Sequence, residues 1–358
     1  EEATQPSVRG LAPASRSVGF SRCSVLVVGP SWVGDMVMAQ SLFRALKQSH
    51  PEAQIDVLAP GWSLPLLARM PEVRAGVEMP LKHGELGLGR RWRLGRSLRG
   101  QYDQAIVLPG SLKSALVPFF AGIRQRTAFL GEQRYGLIND IRALDKDVLP
   151  MTVQRFVALG QAATDAQPPR ILEPHLQVDT DNQQHLLQAL GLSLDKPAVA
   201  LMPGAEFGPA KQWPLAHFAA LARDLLVQGR QVWIFGSQKD AAAGEAIAQQ
   251  AQGVVNLCGR TQLADAVDLI ALCSAAVSND SGLMHIAAAL DVPTIALYGS
   301  SSPAHTPPLS AKARIVYLGL DCSPCFKRVC PLGHTRCLHE ITPEQVFGHV
   351  QEMMWTLL

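Results

Sequence analysis

The chain has 358 residues, of which 47% are hydrophobic and only 17% charged, enough apolar material for two buried cores and too little charge for a disordered or coiled-coil chain. The net charge of +2 hides an asymmetry: residues 24–150 hold 16 Lys/Arg against 11 Asp/Glu, whereas residues 170–358 hold 12 against 16. A basic first half points to an anionic ligand or surface on that side, or is ordinary surface charge.

Residues 1–23 are rich in Ser, Ala, Arg and Pro and lack the apolar core of a secretion signal, so a disordered tail is expected there. The chain does not begin with Met, which leaves its true start open. No apolar run approaches the roughly 18–20 residues of a membrane span, and a cytoplasmic enzyme is the expectation. A strand is predicted over 25–29, a loop over 30–35 and a helix over 36–47, with further strands near 55–58 and 105–108. Residues 164–176 contain three prolines and read as a linker. Beyond it, strands are predicted near 198–202, 232–235, 254–257, 275–278 and 294–298. Helices are predicted between them near 215–228, 241–250, 263–272 and 283–290, and a last helix over 343–358 opens on a proline. Strands alternating with helices predict two α/β domains with mostly parallel sheets, over 24–163 and 177–342. Tandem doubly wound domains form a cleft between two sets of strand C-terminal ends, where such folds bind ligands, although the architecture alone names no reaction.

Four loops offer chemistry. Gly29-Pro-Ser-Trp-Val-Gly-Asp35 has neither the Gly-Lys-Ser/Thr of a phosphate-binding P-loop nor a three-glycine dinucleotide fingerprint. It offers one carboxylate, Asp35, which either complements a helix dipole or acts as a general base on a hydroxyl. In Met202-Pro-Gly-Ala-Glu-Phe-Gly-Pro-Ala-Lys-Gln-Trp-Pro214, exposed backbone N–H groups and Lys211 suit a diphosphate, and a solvated lysine is the alternative. Asp240 in Phe235-Gly-Ser-Gln-Lys-Asp240 is placed either to accept from ribose hydroxyls or to cap a helix. The most specific local pattern is Ser278-Asn-Asp-Ser-Gly-Leu-Met-His285, where Asp280, Ser281 and Gly282 open a helix and His285 follows one turn later.

Taken in order, the segments GPSWVGDMVMAQSL, PEAQIDVLAPGW, LPGSLKSALVPFFAGI, RYGLINDIRALDK, PGAEFGPAKQWP, FGSQKD, SNDSGLMHIAAAL and ALYGSSSP with the following TPPLS resemble glycosyltransferase family 9, and within it most closely the heptosyltransferase II branch. The resemblance covers about residues 24–310. It implies a GT-B architecture, two Rossmann-like domains facing across a cleft, with acceptor bound by the first and ADP-heptose by the second. It implies an inverting, metal-independent transfer with no cofactor. Asp35 would be the base. Lys211, the Asp280-Ser281-Gly282 backbone and His285 would hold the ADP phosphates, Asp240 would contact the ribose, and Lys113 in SLKSA would meet acceptor phosphates. The implied acceptor is heptosylated Kdo-lipid A, its first core heptose receiving the new sugar, with peripheral contact at the cytoplasmic face of the inner membrane and no nucleic acid partner. Heptosyltransferase I relatives carry hydroxyl residues just before the phosphate lysine, whereas here the stretch is Glu206-Phe-Gly-Pro-Ala210. Heptosyltransferases I and III, a nucleotide-sugar epimerase of the same fold and a non-catalytic nucleotide-sugar-binding module are the alternatives.

Cys322, Cys325, Cys330 and Cys337 cluster late in the chain, with His334 and His339 nearby. Four thiols and a CxxC pair can hold a structural zinc, but the spacing departs from the longer gap usual between ligand pairs, so reduced free thiols are expected.

Overall fold

The computed structural model describes residues 23–82 and 84–355. The tail expected over 1–23, apart from Cys23, and the last three residues of the predicted final helix lie outside the described residues. The first half runs β1 (Ser24–Val28), α1 (Val33–Ser49), β2 (Gln54–Pro60), α2 (Leu64–Leu67), β3 (Val73–Met79), α3 (Leu88–Ser97), β4 (Gln104–Val107), α4 (Leu116–Phe120), β5 (Gln125–Phe129), β6 (Asp140–Arg142) and α5 (Thr152–Leu159). The second runs α6 (Thr180–Leu190), β7 (Ala198–Met202), α7 (Leu215–Val227), β8 (Gln231–Ile234), α8 (Ala241–Gln250), β9 (Val255–Asn256), α9 (Leu263–Ile270), β10 (Ala275–Asn279), α10 (Gly282–Ala289), β11 (Thr294–Tyr298), β12 (Ala313–Tyr317), α11 (Arg336–His339) and α12 (Pro343–Trp355).

Each half builds a six-stranded parallel sheet, in the order β3-β2-β1-β4-β5-β6 and β12-β11-β10-β7-β8-β9. Counted from its own first strand, each sheet has the same doubly wound order. The order reverses between β1 and β4 in one and between β7 and β10 in the other, and crevices open at those points.

Period-two alternation explains how the sheets are buried. In β1, Val25 and Val27 enter one apolar cluster, and Leu26 and Val28 enter another on the opposite face. In β7, Val199 and Leu201 pack under α7 and α12, while Ala198, Ala200 and Met202 face the same cluster as Val25 and Val27. One core is therefore continuous across both halves. Its bridge is the contact between α1 and α10, which brings Met36, Val37 and Phe43 into one cluster with Ile286 and Ala287. Two glycines permit that approach: a Cβ on Gly282 would sit 2.6 Å from Val33 Cβ, and one on Gly34 would sit 2.7 Å from His285 Cδ2. The proline-containing stretch 164–176 holds no helix or strand, and the chain there is tied down by Gln40, which accepts from the His175 N–H and donates to its carbonyl.

Candidate functional site

Four of the loops that leave the two switch points carry the chemistry. The loop after β1 ends in Asp35 in the first turn of α1, and the loop after β4 carries Lys113. The loop after β7 carries Lys211, and β10 runs directly into Asp280, Ser281 and α10. The structure brings Asp35, Lys211, Asp280 and His285 together where α1 meets α10. Lys113 lies apart, in the wall of the first-half cavity, and Asp240 lies beyond β8.

Asp280 is buried, and its Oδ2 accepts from Lys211 Nζ at 2.5 Å and from Ser301 Oγ at 2.6 Å. A carboxylate this close to the lysine aims the ammonium and balances its charge. Lys211 also lies 5.1 Å over the Phe207 ring, with the Arg328 guanidinium 5.5 Å from the same ring. The loop between β7 and α7 is fixed by Asn279, which is fully buried. Its Oδ1 accepts from the Trp213 N–H at 3.0 Å and its Nδ2 donates to the Pro203 carbonyl at 2.7 Å, so one side chain pins both ends of the loop. Trp213 Nε1 in turn donates to the Ile341 carbonyl.

Asp35 stands at the first-half rim of this cluster. Burial pushes its carboxyl up to about 6; His305 and Lys211 pull the other way, and Asp280 adds to the rise. His305 reaches across from the second half, its Nδ1 bonded to the Pro150 carbonyl at 2.9 Å, and the Thr152 N–H donates to the His305 carbonyl. His285 is only 5% exposed and packs on Gly34. Burial drives its imidazole down to about 4, so near neutral pH it offers a neutral ring between the two helices rather than a cation. Ser281 is the N-cap residue of α10, and its hydroxyl lies 3.3 Å from Ser278 Oγ. Asp240 Oδ2 accepts from both the N–H and the hydroxyl of Ser237, and the carboxyl lies against Gly204, the glycine that follows Pro203.

A cavity of about 2280 Å³ occupies the C-terminal ends of the first sheet. Asp35, Lys82, Arg90, Lys113 and Arg142 contribute charge to its wall, and Glu206 closes it from the second half. The Lys113 loop is held from beneath by Arg134, 1% exposed, whose guanidinium donates to the carbonyls of Pro109, Leu130 and Phe129 and to Ser114 Oγ.

The seven cysteines are free thiols. Among the described residues no group of three or more His, Cys, Asp or Glu is arranged to hold a metal. Backbone N–H groups around the Leu332–Thr335 turn lower the Cys330 thiol, while burial, and then the neighbouring Cys322, Cys325 and Cys330, raise Cys337. This loop braces the Lys211 loop: the Arg328 carbonyl accepts from the Ala210 N–H, next to Lys211.

Sequence reasoning missed Asn279, Ser301, His305, Arg134 and Arg328. Asn279 stood inside a quoted motif, and a polar residue closing an apolar strand was its signal. His305 lies in a proline-flanked loop with no periodicity to mark it.

Two doubly wound sheets of the same order, with Asp35 presented by one and the Lys211–Asp280 pair by the other, are the architecture of the GT-B glycosyltransferases. Residues 91–336 match the sequence profile of glycosyltransferase family 9 (heptosyltransferase), and the chain belongs to that family. It is 51% identical over 342 residues to lipopolysaccharide heptosyltransferase 2 of Salmonella typhimurium, covering 92% of this chain and 98% of that protein. It is 50% identical to lipopolysaccharide heptosyltransferase 2 of Escherichia coli over the same shares. The structure of E. coli ADP-heptose lps heptosyltransferase II superposes with a TM-score of 0.83 at 47% identity, covering 93% of this chain and 99% of that one.

Proposed function

We propose that the protein transfers heptose from ADP-heptose, with inversion, onto the first heptose of the lipopolysaccharide inner core, the acceptor being heptosylated Kdo-lipid A at the cytoplasmic face of the inner membrane. The observation that carries this reading is the convergence of Asp35, from the first half, with Lys211, Asp280 and His305, from the second. The acceptor occupies the first-half cavity, with Lys113 on its phosphates. The ADP lies at the second switch point, its diphosphate on Lys211 and the backbone at the start of α10, its ribose toward Asp240. His285 backs that helix start as a neutral, buried ring. The acceptor hydroxyl gives its proton to the Asp35 carboxylate as its oxygen attacks the anomeric carbon. The bond from that carbon to the phosphate oxygen breaks, and ADP leaves with the electron pair on the opposite face. Lys211 is released from Asp280 to neutralise the charge that develops on the diphosphate, and Arg328 stands beside it. Side-chain cations thus supply the positive charge, and transfer is expected to persist in excess chelator. Loss of turnover with EDTA, restored by Mg²⁺, would remove the metal-free scheme.

The defining assay is ADP release from ADP-heptose with and without a heptosylated acceptor, paired with the mass of that acceptor. Acceptor-dependent release with a mass gain of one heptose is the expected result. Conversion of the nucleotide sugar without acceptor would instead make the protein an epimerase, and binding with no turnover would make it a carrier.

A further inference from the structure

We propose that the exposed face built by α3 and α4 docks on an anionic lipid bilayer and presents the first-half cavity to it. Residues 86–101 carry five arginines and no Asp or Glu. Arg91 is buried and serves the fold, donating to the carbonyls of Leu86 and Glu85, whereas Arg90, Arg93, Arg96 and Arg99 are exposed. Leu88, Trp92 and Arg96 fall at i, i+4 and i+8 of α3 and are exposed, Arg99 follows just past its end, and Arg91, Gly95 and the C-cap Leu98 are buried. Leu86, two residues before α3, and Leu88 and Trp92 on it are 55%, 53% and 50% exposed, a cluster of large apolar side chains among arginines. The Arg96 guanidinium lies 5.7 Å over the Trp92 ring.

The helix beneath continues the pattern. Gly95 lets α3 approach α4 so closely that a Cβ there would lie 2.5 Å from Phe120 Cβ. Phe119, at the outer end of α4, is 42% exposed with Arg126 stacked 5.6 Å from its ring. Arginine interleaved with Trp, Phe and Leu is the composition of a surface that sits at the headgroup level of a negatively charged leaflet. A second copy of this chain is a poor occupant, because the arginines would face one another. The position relative to the cavity is the second support: Leu86 and Arg90 line its wall, so a bilayer against this face lies at the cavity mouth. A lipid-borne acceptor, as proposed above, gives the face its purpose, and to that extent the assignment rests on that reading.

The test is flotation of the full chain with vesicles of phosphatidylcholine alone and of phosphatidylcholine with phosphatidylglycerol, without acceptor. Binding to the anionic vesicles only, weakening as salt rises, is expected. Each lost arginine costs about fivefold, so the Arg93→Ala/Arg96→Ala/Arg99→Ala variant should bind on the order of a hundredfold more weakly. Trp92→Ala should weaken binding with the salt dependence unchanged. Wild-type protein that ignores lipid charge, or a folded triple variant that floats like wild type, overturns the proposal. Turnover on a lipid-free core oligosaccharide should be unaffected in these variants. If the variants lose it, the face belongs to the acceptor site and the docking proposal fails. If the wild-type chain transfers to neither acceptor, the transferase reading fails while the vesicle result still decides docking.

Discussion

Asp35 shows how far a single residue could be read. A carboxylate in the first βα loop was visible in the sequence, but its basicity was not, because burial and the opposing pulls of His305, Lys211 and Asp280 come from the folded molecule. A carboxyl held at about 6 is a usable base near neutrality and still ionised above that value. The rate with subsaturating substrates should therefore fall as pH drops through about 6, the form lost being the carboxylate. Asp35→Asn should lower kcat by roughly 10²–10⁴-fold, leave ADP binding nearly intact, and flatten that acid limb. A stability effect follows with its own sign. The folded value lies above the ordinary 3.8, so the contribution of this carboxyl is full below that and is lost as pH rises through about 6. The Asn variant should then melt higher than wild type at pH 7 in a thermal scan. A folded Asn variant with normal turnover would take Asp35 out of the base role.

At the scale of elements, legibility followed burial. β1, β7 and α1 were readable because helices cover both faces of the strands and one side of α1 meets the core, leaving long apolar runs. The sequence reading passed over β3, β5, β6 and β12. β3, β6 and β12 are edge strands and β5 lies next to one; they are half exposed or short, and the sequence VRAGVEM of β3 carries no clean alternation. α3 was hidden by its arginines and glycines. Also illegible were the two buried side chains that shape the site loops, Asn279 for the Lys211 loop and Arg134 for the Lys113 loop, since the loop residues they hold, Trp213 and Pro203 for one and Pro109 and Ser114 for the other, are 20 or more positions away in the chain. Asn279→Ala strips the Trp213 N–H and the Pro203 carbonyl of their partners inside the protein, each costing about 1–3 kcal/mol. The variant should melt several degrees lower and bind ADP-heptose more weakly, with acceptor KM close to wild type. Calorimetry with ADP on the folded variant checks this; unchanged donor affinity would show that the loop keeps its shape without the staple.

For the molecule as a whole, the proposed function reads the unequal charge of the two halves as a division of substrates. The two sheets repeat one topology, and the seam where α1 meets α10 is packed through Gly34 and Gly282 with no room for a side chain. The two site loops of each half are thereby presented to one cleft from opposite sides. Lys211 belongs to the second half, paired with Asp280 and stationed over Phe207; Lys113 belongs to the first, in the cavity wall on the loop braced by Arg134. The donor carries its charge on a diphosphate and the acceptor on lipid and core sugars, so if the halves divide the substrates the lysine variants should divide as well. Lys211→Ala should weaken ADP and ADP-heptose binding by roughly 10–150-fold, the loss of one charged contact of about 1.5–3 kcal/mol, with little change in acceptor KM. The same change leaves Asp280 without its cation, so part of the loss is repulsion between that carboxylate and the incoming diphosphate, and Lys211→Ala/Asp280→Asn should recover some donor affinity. Lys113→Ala should raise acceptor KM by a similar factor, more at low salt than at high, with ADP binding by calorimetry unaltered. Abolished ADP binding in a folded Lys113→Ala protein would mean that the basic first half holds the donor, and the assignment of the two domains would have to be exchanged.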